Sequence, residues 1–276
     1  MIKNNKFINI FKNMHKETLL GIIFLVLVII PGVISFFYTP YDPDAMDAAL
    51  KNSAPTFGHI FGCDNFGRDL FSRVAVGIGN TFCIALFTVL IGAFFGIIIG
   101  SITGYFGGIV DEILMRINDA LYAFPAILLA LVVVSLLGTG TGNVVIALGI
   151  AFIPSFARMV RAEMIKQKSM DYVLSARLYG ASSFRIMFIH ILPNITPVLI
   201  SSIMIGFNNA VLAEAGLSYL GIGVQPPTSS LGRMLSESQS YLFTNPWNSI
   251  FPGLAIIIMV LGFSLVAEGI GKRNTK

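Results

Sequence analysis

The sequence predicts an all-α, polytopic membrane protein of about six transmembrane helices. Three observations carry that prediction. Hydrophobic residues make up 55% of the 276 residues and charged residues only 12%, with a mean hydropathy of +0.81. A soluble domain keeps about a quarter of its residues charged, so this chain lacks the surface for water. The apolar residues fall in runs without Asp, Glu, Lys or Arg, at 18–41, 74–110, 120–157, 186–213 and 238–267. Finally, the cations cluster in alternate connecting segments.

Spans are expected near 18–38, 79–104, 117–138, 143–163, 195–220 and 249–268. Helices are required because lipid offers no partner for a free backbone group, and the alternation of a barrel strand is absent. Lys3, Lys6, Lys12 and Lys16 precede the first span as in a secretory signal. The run that follows is about 20 residues long and has no small-x-small cleavage pattern, so an uncleaved span is expected. Placing the N-terminus inside leaves only Lys51, Arg68, Arg73 and Arg233 outside. That asymmetry is the positive-inside rule, and it puts both termini in the cytoplasm. It also accounts for the net charge of +4 without nucleic acid. The division is then 1–17 as a cytoplasmic segment, 18–268 as the transmembrane domain with its core at 79–268, and 269–276 as a cytoplasmic tail.

The loop at 39–76 opens with prolines 40, 43 and 55, which forbid a continuous helix there. From Asn65 it turns amphipathic. Phe66, Leu70, Phe71 and Val74 can share one face of a short interfacial helix, with Asp69 and Arg73 paired at i,i+4 on the other. The run 120–157 is too long for one crossing, and "GTGTGN" at 138–143 reads as a turn between two spans. Glu214 interrupts the fifth span near its outer end. An intramembrane acid commonly faces a cavity or a partner; the alternative for Glu214 is a snorkelling or hydrogen-bonded structural acid. With Asn208 and Asn209, polar groups of the pathway spans, Glu214 and Asp119 are the pathway or gate candidates. Gln225-Pro226-Pro227 ends that helix, and Trp247 suits a membrane–water boundary.

Between the fourth and fifth spans lies "DYVLSARLYGASSFRIMFIHILPN", beginning at Asp171. It reads as helix, turn, helix on the cytoplasmic face. Asp171 is the expected N-cap, with Tyr172, Val173, Ala176 and Tyr179 on one apolar face. Gly180 ends the first helix. Ser182 or Ser183 caps the second, whose apolar side holds Phe184, Met187, Phe188 and Ile191. Pro193 marks the turn back into the membrane. Ser175 and Ala176 keep the first helix thin, so that another surface can approach.

Catalytic chemistry is not indicated. A GxxxxGK[ST] loop is missing, and His15, His59 and His190 show neither a nucleophile motif nor ligand spacing. Cys63 in the external loop and Cys83 in the second span are not expected to pair. No metal site is expected.

The 171–194 segment resembles the EAA loop of ABC-importer permeases, with the loop at 165–193. Ala176, Gly180, Leu192 and Pro193 fall on that pattern, and Leu174, Ser175 and His190 depart from it. "FGCDNFGRDLFSR" is similar to a second signature of the dipeptide, oligopeptide and nickel branch, with Cys63 where Thr is usual. "AEAGLSYLGIGVQPPTSSLGRML" is similar to a third, with Leu231 where Trp is frequent. The resemblance spans nearly the whole chain and indicates the C-type subunit.

It implies a subunit that pairs with a second homologous permease in the bacterial cytoplasmic membrane. Two cytoplasmic ATPase subunits would bind ATP and Mg and grip Asp171, Tyr172, Ser175, Ala176, Gly180, Ala181, Leu192 and Pro193. An extracellular or periplasmic binding protein would deliver cargo. The external-loop motif is Asp64, Gly67, Arg68, Asp69 and Arg73, read as a cap on the bundle or as a lip over the translocation path. Short peptides are the expected cargo, with nickel or a chelated metal as the alternative. From another class, an ion-coupled secondary transporter would use Asp119 or Glu214 as its proton-coupling acid.

Overall fold

The computed structural model describes residues 16–274, in which the regular elements are helices. Lys3, Lys6, Lys12, His15 and Lys276 lie outside the described residues. The helices are α1 (Lys16–Ile34), α2 (Leu70–Phe106), α3 (Gly108–Tyr122), α4 (Ala126–Leu137) and α5 (Thr141–Gln167). They continue with α6 (Asp171–Leu178), α7 (Ser183–Tyr219), α8 (Leu231–Ser238) and α9 (Trp247–Asn274). Five of these (α1, α2, α5, α7 and α9) are long and apolar enough to cross a membrane, and α3 with α4 makes a sixth crossing only as a bent pair.

Three boundaries differ from the expected ones, each for a local reason. α2 has 37 residues, about 55 Å at the helical rise, and so outreaches a hydrocarbon core of about 30 Å. The expected separate interfacial helix after Asn65 is the first turns of α2 itself. Asp69 is its N-cap, accepting the Ser72 N–H at 2.8 Å. The expected single span at 117–138 is broken, with α3 and α4 meeting at 90°. Pro125 lacks an N–H and pushes residue 124 out of the helical region, so the chain turns there.

The third difference is at Pro193, where no turn forms. α7 runs through it as a continuous 37-residue helix. Ile186–Ile191 is π-helical, and the Leu192 N–H reaches Met187 O, five residues back. This widened turn lets the helix pass the proline despite its missing donor. The break at 138–140 is as the sequence reads, with Gly138 and Gly140 at positive φ.

The centre of the bundle is the long seam between α2 and α5. Glycines 92, 96, 100 and 104 recur every four residues along one face of α2. A Cβ on Gly100 would lie 2.5 Å from Ala157 O, and one on Gly104 2.6 Å from Met164 Cβ. Only a bare backbone permits this approach, and in lipid such close packing is a main source of helix association. α1 crosses α9 at Gly21 and Gly262, and α2 at Gly32 and Gly79. Lys272 bonds both Glu17 at 2.7 Å and Glu268 at 2.8 Å, tying α9 to the start of α1. That end of the bundle also carries Arg158, Arg161, Lys166, Lys168, Arg177 and Arg185, and is termed the basic end below.

Candidate functional site

At the end opposite the basic one, the 61–73 motif folds into a buried ionic cluster. Asp64 Oδ1 accepts the N–H groups of Phe66 at 2.8 Å and Arg68 at 3.0 Å. Its Oδ2 accepts from Arg68 Nε at 2.7 Å. Arg68 Nη2 continues to Glu237 Oε2 at 3.0 Å, and Glu237 Oε1 accepts from Arg233 Nε at 3.1 Å. Arg73 is buried beside them, donating to Pro43 O at 3.1 Å and Asp44 Oδ1 at 3.2 Å. The expected Asp69–Arg73 pair does not form, because capping turns the Asp69 side chain away toward His59 Nδ1 at 2.8 Å. Gly67 has positive φ, and a Cβ there would run into Asp47 O. The cluster joins three segments distant in sequence, and its carboxylates and guanidiniums balance.

Cys63 shares this environment. It is 1% exposed, and burial pushes its thiol above the ordinary range. An external-loop position therefore does not make it accessible. Both cysteines are free, as the sequence suggests.

Glu214 is wholly enclosed (0% exposed) where α2, α7 and the segment entering α8 meet. Thr81 Oγ1 donates to its Oε2 at 2.9 Å, and Ser218 Oγ to its Oε1 at 2.7 Å. Each hydroxyl accepts in turn: Thr81 from Leu231 N–H at 3.2 Å, Ser218 from Val224 N–H at 3.1 Å. Asn208 faces α9, with its amide oriented to bond Val260 O at 3.1 Å and Ser264 N–H at 3.3 Å. Asp119 pairs with Arg158 Nη2 at 2.6 Å, both half-exposed, and the same guanidinium covers the Tyr122 ring at 4.1 Å.

Of the pathway candidates, Asn209 is the one that lines a cleft. A cleft of about 590 Å³ is walled by the α3–α4 bend at Tyr122 and Phe124, by Phe152 and Ser155 of α5, and by Asn209 and Leu212 of α7. A further pocket of about 110 Å³ shares Phe152, Ser155 and Asn209 with it and extends to Ser202. Together they form a groove along α5 and α7 with an apolar wall and a few neutral polar groups. Sequence reading missed Ser155, Ser202 and Glu237. The serines sit in apolar runs like any helix-borne serine, and only the packing shows which face is open.

At the basic end, α6 rides on a second apolar cluster. Val173 is buried with Met164 of α5, Ile186 and Ile191 of α7 and Tyr105 of α2, and Ala176 packs against them. Ala176 thus faces inward and Ser175 outward. Leu178 and Tyr179 stand 89% and 92% exposed, so Tyr179 is not on the anchored face, and neither is exposed Phe184. Asp171 is the first helical residue, and the cap position belongs to Met170. Gly180 takes φ of 76° as the helix ends, and Ser182 caps the next turn through the Arg185 N–H at 3.4 Å. Tyr172 donates its hydroxyl to Gln167 Oε1 at 2.8 Å, and burial raises its phenol. Lys168 Nζ caps the last carbonyls of α2, at 3.0 Å from Tyr105 O. Ala181 and Leu192 are partly covered, and Pro193 is exposed.

Residues 96–275 match the family model for the binding-protein-dependent transport system inner membrane component. The dipeptide transport system permease protein DppC of Haemophilus influenzae is 36% identical over 93% of this chain and 89% of its own. The glutathione transport system permease protein GsiD of Pectobacterium atrosepticum is 38% identical over 94% and 86%. A putative peptide transport system permease protein of Brucella abortus is 40% identical over 93% and 86%. In fold, the chain is similar to an inward-facing structure of the MetNI methionine ABC transporter. The TM-score is 0.60 at 18% identity, covering 74% of this chain and 97% of that one. The chain belongs to the binding-protein-dependent transport system inner membrane component family, the permease subunits of ABC transporters.

Proposed function

We propose that this chain is one of two permease subunits lining the path of an ATP-driven importer of short peptides. Family membership and relatives named for dipeptide, glutathione and peptide transport support the reading. The single observation that carries its coupling half is α6, where exposed Leu178 and Tyr179 project from a helix anchored beneath by Val173 and Ala176.

In this reading the basic end is cytoplasmic, with both termini on that side. Two ATPase subunits hold ATP and Mg and grip α6 through Asp171, Tyr172, Ser175 and the Leu178–Tyr179 tip. Ala176, Ala181 and Leu192 seat the loop, while Gly180 and exposed Pro193 shape its ends. A second homologous permease closes the open side of the groove. An extracytoplasmic binding protein docks at the opposite end, where the Asp64–Arg68–Arg73–Glu237 cluster, with Gly67 and Asp69, stiffens the surface.

Movement of α6 is transmitted through α5 to α2 because their glycine seam leaves no slack between backbones. The two then move as one rigid body, which suits a switch between two packed states. Hydrolysis belongs to the partners, and this chain contributes the path. Peptides are favoured over nickel because the groove offers hydroxyls and an amide rather than His or Cys side chains.

Affinity purification of the tagged chain from its native membrane tests the assembly. Two ATPase subunits and one homologous permease are expected with it. A chain that purifies alone and transports alone would contradict the reading.

A further inference from the structure

Polar side chains in the spans mostly spend their hydrogen bonds inside the fold. Ser135 returns to Leu131 O, Thr196 to Leu192 O and Ser201 to Pro197 O, each one turn back. Such back-bonding is the usual fate of Ser and Thr on a helix in lipid. Ser155, Ser202 and Asn209 do otherwise. None has a hydrogen-bond partner among the described residues, and all three line the same groove. Thr18, Thr88, Ser101 and Ser264 are also unpartnered, as is Asn248 Oδ1, but none of them lines the groove.

The three are spaced for an extended chain. Ser202 and Asn209 lie seven residues apart on α7, about 10.5 Å along the axis and on one face. That is about three residues of extended peptide. Ser155 faces the same space from α5. Asn209 offers two donors and an acceptor, and each serine offers one donor and an acceptor. A peptide backbone presents the matching set of C=O and N–H groups at every residue, whatever its side chains. The groove lining contains no charged residue. Asp119 and Arg158 neutralise each other at its edge beside Tyr122.

We infer that Ser155, Ser202 and Asn209 are the rungs by which this subunit handles cargo: neutral groups that bond the peptide backbone and leave side-chain charge unread. The inference rests on the peptide-importer reading and adds to it the class of selectivity the path imposes. Discrimination by charge then falls to the delivering protein.

The test reconstitutes the complete transporter in vesicles and saturates it with binding protein loaded with Ala-Ala-Ala, Ala-Asp-Ala or Ala-Lys-Ala. Maximal uptake should be similar for all three in the unaltered transporter. Asn209→Asp should slow the acidic peptide relative to the basic one on the order of tenfold, and Asn209→Lys should reverse the order, since a charge in a low-dielectric groove acts strongly. Ser202→Asp supplies the same reading from a different turn should the Asn209 variants fail to assemble. Asn209→Leu should slow all three peptides by a common factor. Charged variants that change the three rates equally would overturn the inference. An unaltered transporter that takes up no peptide would instead sink the peptide reading beneath it.

Discussion

Asp64 holds Arg68 twice, taking its backbone N–H at 3.0 Å on one oxygen and its Nε at 2.7 Å on the other. The pair is almost fully covered and connects through Glu237 to α8. Breaking a buried pair from one side leaves an uncompensated charge, which costs about 3–5 kcal/mol. Asp64→Asn should therefore lower the melting temperature of the purified complex sharply, with the loop at 39–69 becoming protease-sensitive first. Melting unchanged within experimental scatter would show that the cluster does not hold that end together.

The α2–α5 seam gives a contrast between two glycines. Gly100→Leu must push Ala157 O and Val160 away and should abolish stable assembly, read as loss of the monodisperse complex in detergent. Gly142, in the first turn of α5, has open space around its Cα. Gly142→Ala should be neutral or stabilising by a few tenths to about 1 kcal/mol. Equal behaviour of the two variants would mean that backbone contact does not organise the core.

Glu214 is bonded as an acceptor by two hydroxyls that are themselves committed to backbone N–H groups. Glu214→Gln keeps one carbonyl acceptor and should cost about 1 kcal/mol. Glu214→Leu strands Thr81 and Ser218 and should cost several times more, about 1–3 kcal/mol per orphaned group. Equal thermal shifts for the two variants would mean that the acid acts through its charge, which both remove, rather than through these bonds.

Cys63 should resist alkylation. Its burial and raised thiol leave little thiolate at neutral pH, so reaction should speed up only as pH rises into the alkaline range or on denaturation. Phe57, in the same loop, is 108% exposed. Phe57→Cys should label at once with a membrane-impermeant maleimide from the side opposite the cytoplasm. Labelling only after the membrane is opened would reverse the proposed orientation.

How much of this was legible beforehand varies with how local the cause is. The spans follow from apolar runs, and the turn at Gly138–Gly140 from its glycines. The start of α2 was hidden because Arg68 and Arg73 end the apolar run. Their charges are neutralised by Asp44 and Glu237, which sequence order does not bring near. Pro193 looked like a turn because a proline's missing donor is visible in sequence, whereas the π-turn that absorbs it depends on packing at Ile186 and Ile191. The apolar face of α6 puts Ala176 with Val173, while its small size and the loop resemblance point to a contact with another surface. Only the cluster beneath α6 shows that Ala176 faces in and that Leu178 and Tyr179 face out.

The central claim is that α6 delivers the work of ATP hydrolysis to a path for peptides. ATP-driven uptake of a labelled dipeptide or tripeptide by the reconstituted transporter measures it directly, with Leu178→Asp and Tyr179→Asp combined in one variant. The account predicts ATP-dependent accumulation by the unaltered transporter and its loss in the variant, while the Asp64–Arg68 end remains folded and Phe57→Cys still labels from outside. Normal peptide accumulation with both tip residues replaced would contradict it.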